Sequence, residues 1–420
     1  MTACGLDFGT SNTTLGVHDG GVDGGGFRLL ALDGVRTTLP TAVFFDFEAD
    51  AVTIGQAAVD SYVSGVEGRL MRSIKSMLGT DLIDADTALR KGRISFRAVI
   101  GTFLDTVKGR AEAALGAPLS DVVVGRPVHF VDGDPAGDAA AEETLGAIAK
   151  AAGFRNVSFQ FEPIAAALDY EQQVSGEELA LIADIGGGTS DFSVVRIGPE
   201  RRGRPDRSGD ILANDGIRVG GTDFDRDLSL ATAMPELGHG SAMKRVGLLA
   251  PKSVYFDLAT WSKINFLYTN KALSDLERLH RDSAAPEKIE RLIGIVEHRQ
   301  GHALAMAVER AKIALSDHDE TRLALDWGDG ELSLPIDVAG LNQATGALAA
   351  RIGTRIRDCL SEAGVTPDRI DAVFLTGGST LLPQVRAAIL AEAPGARVVE
   401  GNIFGSVGLG LTVEAQRRYG

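Results

Sequence analysis

Two short stretches of this 420-residue chain combine the same three ingredients. "LDFGTSNT" places Asp7 before Gly9, Thr10 and Ser11, and "ADIGGGTSDF" places Asp184 before Gly186, Gly187, Gly188, Thr189 and Ser190. A glycine turn after a strand presents backbone N–H groups with no side chains in the way, and such a turn can cradle phosphate oxygens. A carboxylate at the strand end would repel a phosphate unless a cation stood between them. Magnesium resolves the conflict, because it keeps several waters and takes one or two carboxylates plus phosphate oxygens. The hydroxyls add donors. A third stretch, "LTGGSTLLP", repeats the strand and glycine turn at Gly377 and Gly378. Each stretch alone is also what a tight hairpin with a capping aspartate looks like. Three of them after apolar strands point to one shared reason, a phosphate-bearing ligand.

The elements that must position these turns come in a repeated order. "ACGLDFGTSNTTLGVHDGGVDGGGFRLLAL" reads as a β-meander, with strands ending near Phe8, spanning about Thr13 to His18, and spanning about Phe27 to Ala31. Apolar spacing predicts helices from about Gly55 to Leu78 and from about Phe96 to Leu115. "DVVVGRP" is a buried strand, Ala139 to Phe154 a helix ending at Gly153, and "EPIAAALDYEQQ" a helix with Pro163 in its first turn. The second half opens the same way, with "LALIADIGGGTSDFSVVRIG" and "GDILANDGIRVGG" as a second meander. Helices dominate from about Thr222 to Ser316, and "DAVFLTGGSTLLPQVRAAILAEAPG" closes as strand, turn and helix. The order, a meander followed by helix and strand, occurs twice, which predicts a duplicated mixed α/β unit.

Composition bounds the function. The length exceeds one ordinary core, so at least two domains are expected. Apolar residues make up 44% and charged residues 24%, a soluble globular balance. The net charge of -15 argues against nucleic acid as the main partner and against an anionic membrane surface. Cys4 and Cys359 cannot supply a disulfide framework. Asp7 interrupts any apolar leader, no 18-residue apolar run follows, and a cytoplasmic location is expected. "RRGRPDR", Arg201 to Arg207, reads as a solvated loop. His298 and His302 are four apart at helical spacing, but "HRQGH" lacks the glutamate a zinc hydrolase uses, so surface or capping roles are expected. "GVDGGG", Gly21 to Gly26, reads as a hairpin tip.

With these motifs in this order, the chain resembles the actin-like ATPase superfamily, and within it the nucleotide-binding part of DnaK-type (heat-shock 70) chaperones. The resemblance rests on "LDFGTSNT", "FEPIAAALDY", "ADIGGGTSDFSV", "VGGTDFDRDL", "ERAKIALS" and "LTGGSTLLP", in register over nearly the whole chain. "GRPV" and "RSIKSMLG" look most like the YegD-type branch of short relatives. The resemblance implies a duplicated ribonuclease-H-like α/β fold of two lobes with a central nucleotide cleft. Lobe I would be 1–175, with 396–420 packing back and a subdomain at about 37–117. Lobe II would be 176–395, with a subdomain at about 223–319.

The resemblance also implies roles. Asp7 and Asp184 would hold magnesium through its waters. Lys75, which from its own surroundings could equally be a surface lysine on a helix, would orient the attacking water and offset phosphate charge. Glu162 and Asp191 would position magnesium waters or the nucleophilic water, with Thr189 among the catalytic set. Gly9, Thr10, Ser11, Asn12, Gly186, Gly187, Gly188, Thr189, Gly220 and Gly221 would bind the nucleotide, with Thr10, Ser11 and Thr189 contacting phosphate oxygens. Glu309, Lys312 and Ser316, on one helical face, would contact ribose and adenine, Gly378 and Ser379 would close the adenine pocket, and Gly377 would belong to the nucleotide-binding set. Ile313 and Leu381 stand where the family carries two arginines that flank the base.

The function implied is ATP binding and slow hydrolysis driving lobe closure, with ATP and Mg²⁺ as cofactors, ATP/ADP as ligands and an unidentified protein partner or client. A chaperone relative lacking the client domain is expected, since the chain ends at Gly420 after "GSVGLGLTVEAQRRYG". Pro127 matches the proline of the family's switch, whereas Glu142 stands where the family has a relay arginine. An actin-like filament ATPase and a small-molecule kinase of the same superfamily are the alternatives.

Overall fold

The computed structural model describes residues 2–20, 26–202, 204, 207–327 and 330–420. The glycine-rich tip expected at Gly21–Gly26 therefore lies, apart from Gly26, outside the described residues, as do Gly203, Pro205 and Asp206 of the arginine-rich loop. The chain divides into two compact units. The first comprises Met1–Gly220, Arg351–Thr380 and Val385–Gly420, and the second Gly221–Ala350 with Leu381–Gln384. The boundary expected at 175/176 falls inside the first unit, between two sheets of the same design.

The first sheet contains β1 (Thr2–Phe8), β2 (Asn12–Asp19), β3 (Gly26–Leu29), β4 (Leu119–Arg126) and β5 (Asn156–Phe161), in spatial order β5-β4-β1-β2-β3. The pairs β1–β2 and β2–β3 are antiparallel, while β1–β4 and β4–β5 are parallel. The second sheet contains β6 (Glu178–Ile185), β7 (Ser190–Ile197), β8 (Ile211–Ile217), β9 (Ala372–Thr376) and β10 (Arg397–Glu400), in order β8-β7-β6-β9-β10. Its pairings repeat the first sheet strand for strand. The duplication expected from the two meanders is thus present in topology and in pairing sense, and the fold is the mixed α/β, duplicated ribonuclease-H-like fold of actin-like ATPases.

In the first unit, α1 (Phe96–Leu115) follows the predicted bounds. Ser95 caps its start by accepting the Ala98 N–H, and Gly116, at φ 67°, ends it. Val99, Ile100, Phe103, Leu104, Val107 and Ala111 form its buried stripe against Leu6, Phe8, Val122 and Val124 of the first sheet. Next come α2 (Pro135–Ala151), capped by Asp134, and α3 (Glu162–Glu171), with Pro163 in its first turn. The helix predicted from Gly55 to Leu78 is a correction. Only Gln56–Val63 is helical; Gly68–Arg72 is a strand paired with Ala42–Asp46, and Ile74–Met77 is a 3-10 turn. Gly65, at φ 76°, breaks the helical run that apolar spacing alone suggested.

The second unit contains α4 (Gly221–Ala231), the helices Asn270–Asp282 and Pro286–Glu297, α5 (Gly301–Ala314) and a hairpin pairing Glu320–Asp326 with Glu331–Asp337. His298 and His302 are not on one helix. His298 ends the first, with its Nδ1 2.8 Å from Gly294 O, whereas His302 is buried in α5 beside the rings of Trp261 and Tyr268.

The chain returns to the first unit and ends in α6 (Ser406–Tyr419). Helices α3 and α6 pack on each other, and each lies on the other repeat's sheet: α6 on β1 and β2, α3 on β6 and β7. Their shared core joins Val123, Ile164, Ala165, Ile182, Phe374, Leu411 and Ala415. The approach is close enough that a Cβ on Gly410 would stand 1.7 Å from Ala165 O, which accounts for the small residues of "GSVGLGLTVEAQ". Among the described residues no helix is long and apolar enough to cross a membrane.

Candidate functional site

The two acidic turns occupy equivalent places. Asp7 sits opposite Thr14 across β1–β2 just as Asp184 sits opposite Asp191 across β6–β7. The chain then turns at Gly9–Ser11 in one repeat and at Gly186–Thr189 in the other, where Gly186 N–H closes on Thr189 O at 3.0 Å. The turns meet. A Cβ on Gly187 would stand 2.1 Å from Ser11 Oγ, one on Gly188 2.6 Å from Thr10 Oγ1, and one on Gly220 2.4 Å from Gly188 N. Only glycine permits this packing, and it leaves a cradle of backbone amides and hydroxyls.

The third turn joins the same cradle. Gly377, at φ 80°, would place a Cβ 2.4 Å from Ile185 O, and Ser379 Oγ donates to Gly186 O at 3.0 Å. Thr41 Oγ1 donates to Gly9 O at 2.8 Å, and Asn12 opens β2 opposite Pro40.

Lys75 lies in the 3-10 turn after Ser73, whose φ is 56°. It is buried and not on a helix surface. Its Nζ donates to Glu162 Oε1 at 2.5 Å, with the two side chains 7% and 9% exposed. Glu162 is the first residue of α3, and Asp191 Oδ1 accepts the Val128 N–H at 2.6 Å. Burial works against the Lys75 ammonium, yet Glu162, Asp7 and Asp191 hold it above its ordinary value. The carboxyls are pushed the other way. Burial first and the Glu162 charge second raise Asp7 and Asp191 to about 7, and the same causes, with Asp191 and Asp7 added, raise Asp184 well above the usual carboxylate range.

Asp7, Glu162, Asp184 and Asp191 thus share one ammonium, a surplus of negative charge that a cation would relieve. Among the described residues no three His, Cys, Asp or Glu side chains are grouped to hold a metal directly. Carboxylates at the ends of β1 and β6 beside glycine turns are the kind of donors that an ion keeping its water shell, such as magnesium, takes beside phosphates.

The remaining predicted residues lie apart from this cluster in the sequence of elements. Glu309, Lys312 and Ile313 are on α5, with Ser316 just beyond its end. Lys312 is buried, donates to Gly221 O at 2.9 Å and stands 2.7 Å from Asp225 Oδ1, so it ties α5 to α4. Ile313 and Leu381 are 57% and 42% exposed. In the first unit, Gly378 packs under the exposed ring of Phe404.

The Hsp70 protein family model matches residues 84–233 and 288–397, more than half of the chain. The chain belongs to the Hsp70 family. Membership makes it an ATP-binding ATPase of the general Hsp70 kind. The matched segments of this Hsp70-family protein contain Glu162, Asp184, Asp191, Gly220, Lys312 and Gly378, whereas Asp7, Thr10, Ser11 and Lys75 lie before the first of them. It is the fold that brings Asp7 and Lys75 to Glu162.

Some contributors were not visible as motifs. Thr41 supports the first turn through its hydroxyl, and Val128 acts through a backbone amide. The loop "RRGRPDR" is likewise a correction, because its arginines are not simply solvated. Arg207 pairs with Glu171 at 2.9 Å and with Asp210 at 2.5 Å, Arg201 pairs with Glu177 at 2.9 Å and with Asp210, and Arg202 donates to Glu171 O and Val174 O, both at 2.9 Å. These contacts clamp the C-terminal end of α3, the helix whose other end carries Glu162.

Proposed function

We propose that this Hsp70-family protein binds magnesium-ATP at the glycine cradle and hydrolyses it slowly, as a member of the YegD-type branch that uses nucleotide state to change its shape for a protein partner or client in the cytoplasm. The observation that carries the reading is the buried Lys75–Glu162 pair among Asp7, Asp184 and Asp191 at the meeting of two glycine turns. Phosphoryl transfer to water needs positioning and charge compensation more than covalent chemistry.

Here the backbone amides of Gly9–Ser11 and Gly186–Thr189, with the Thr10, Ser11 and Thr189 hydroxyls, hold the phosphate chain. Asp7 and Asp184 hold the hydrated magnesium, which when bound neutralises phosphate charge. Lys75 orients the attacking water and meets charge on the terminal phosphate, while Glu162 and Asp191 fix water and accept its proton. Residues 1–175 and 176–395 act as the two lobes that move. Glu309, Lys312 and Ser316 serve the ribose and base, as do Gly378 and Ser379.

The test is Asp184→Asn. Magnesium-dependent hydrolysis should fall far more than nucleotide affinity, read by phosphate release and by calorimetry. Unchanged turnover in that variant would remove the magnesium assignment.

A further inference from the structure

We infer that Arg126 is a positioning residue that aims Val128 N–H at Asp191. The inference rests on the reading of Asp191 as part of the hydrolytic site. Strand β4 ends at Arg126, and residues 127–132 then cross from the first repeat to the second. Val128 N–H donates to Asp191 Oδ1 at 2.6 Å, the Asp132 carboxylate accepts Arg218 N–H at 3.0 Å, and His129 Nε2 lies 3.5 Å from Asp215 Oδ1.

Arg126 folds back over this segment. Its Nε donates to Pro127 O at 3.0 Å, and one Nη donates to Val128 O and to Asp138 Oδ2, both at 3.1 Å. The other Nη pairs with Glu142. The guanidinium carbon lies 5.2 Å from the Phe130 ring centre and 4.9 Å from that of Phe161, the residue before Glu162. Asp138 in turn accepts the N–H groups of Phe130 and Val131.

The decisive feature is one peptide unit. Pro127 C=O and Val128 N–H belong to the same rigid plane, so the orientation of one fixes the other. Arg126 grips the oxygen end and Asp191 the N–H end. Rotating the plane away from Asp191 breaks the Arg126 contact as well. A guanidinium can do this while also meeting two carboxylates, because its donors form a fixed fork; an ammonium on a flexible stem cannot. The Arg126 side chain is 11% exposed and floors an open groove of about 630 Å³ lined also by Glu142, Glu143, Lys150 and Phe159. Water can enter from that groove to fill the space left by a shorter side chain.

The experiment compares wild type, Arg126→Met and Arg126→Lys by hydrogen exchange of the Val128 amide and by kcat and KM for magnesium-ATP. Both variants should exchange Val128 faster and lose kcat by about 10–100-fold, the cost of a small misplacement, with KM within about threefold. If Arg126→Met does not fold, Arg126→Lys carries the same readouts. A purely structural arginine predicts the opposite: lysine restores kcat, and Val128 exchange is unchanged relative to its neighbours. Either result overturns the inference. If wild type does not hydrolyse ATP, the functional reading fails, and Val128 exchange alone still decides the role of Arg126.

Discussion

Replacing Lys75 by methionine should damage stability and turnover through separable causes. Nζ and Glu162 Oε1 are 2.5 Å apart, and both side chains are under a tenth exposed. Removing one partner of such a pair leaves a buried charge uncompensated and costs about 3–5 kcal/mol, a large share of the ~5–15 kcal/mol of a folded domain. Glu162→Gln added to Lys75→Met removes the orphaned charge and should recover much of that loss, because neutral replacement of a buried pair costs little.

Recovery in the double variant should depend on pH. Lys75 also attracts Asp7 and Asp191, which burial has already raised to about 7. A carboxyl raised in the folded state binds more protons there than in the unfolded chain, so its contribution falls as pH rises from about 4 to about 7. The double variant also lacks the Glu162 charge, which raises both carboxyls more than Lys75 lowers them, so both should fall back toward the ordinary carboxylate range and the double variant should be closer to wild type at pH 8 than at pH 6 in urea titrations. Turnover should behave differently. A lysine that meets developing phosphate charge is worth roughly 10²–10³ in rate, and single-turnover hydrolysis should stay depressed by that factor in both variants. If the double variant regains turnover together with stability, or if Lys75→Met turns over normally, Lys75 is a structural counter-ion and not part of the chemistry.

Gly220→Ala should weaken ATP binding at least tenfold by calorimetry, because the new Cβ would meet Gly188 N at 2.4 Å and the cradle backbone must move; affinity within twofold of wild type would dissociate Gly220 from the site. His129 is raised above 6.5 chiefly by its hydrogen bond to Asp215, with Asp138 adding to it against the cost of burial. Its stabilising contribution is complete below about 6.5 and is lost as pH rises through the folded value. His129→Gln should therefore flatten the fall in urea stability above that pH, and an unchanged slope would exclude the bridge. The Ile313→Arg, Leu381→Arg double variant should bind ATP several-fold to tenfold more tightly, at about 0.5–1 kcal/mol for each cation–π stack gained. No gain in calorimetry would mean that these two exposed positions do not flank the base.

The parts of the fold legible in the sequence are those fixed by local rules. The bounds of α1 follow from Ser95 and Gly116 at its ends, and the two meanders follow from alternating runs broken at glycine turns. Asp7 and Asp184 announced themselves because each precedes such a turn. Residues 55–78 misled because their apolar spacing suits a helix, while pairing with Ala42–Asp46 decided the outcome. Lys75 could be singled out only through a family likeness, since its partner is 87 residues away and nothing in "SIKSMLG" reports burial. The arginines of "RRGRPDR" looked solvated partly for the same reason: Asp210 is a local partner within the β7–β8 connection, but Glu171 joins them only once α3 lies beside that connection. Arg126 was hidden because its role runs through backbone groups.

The exchange of helices between the repeats also constrains how the protein is made. The face of β1 and β2 that α6 covers is complete only when residues 406–419 arrive, roughly 400 residues after β1. At synthesis rates of about 5–20 residues per second, that is about 20–80 s during which one side of the N-terminal sheet has no lid. The first repeat cannot be finished on the ribosome by itself. A nascent chain of this design must either keep that sheet loose until residues 406–419 emerge or have the exposed face shielded by something else.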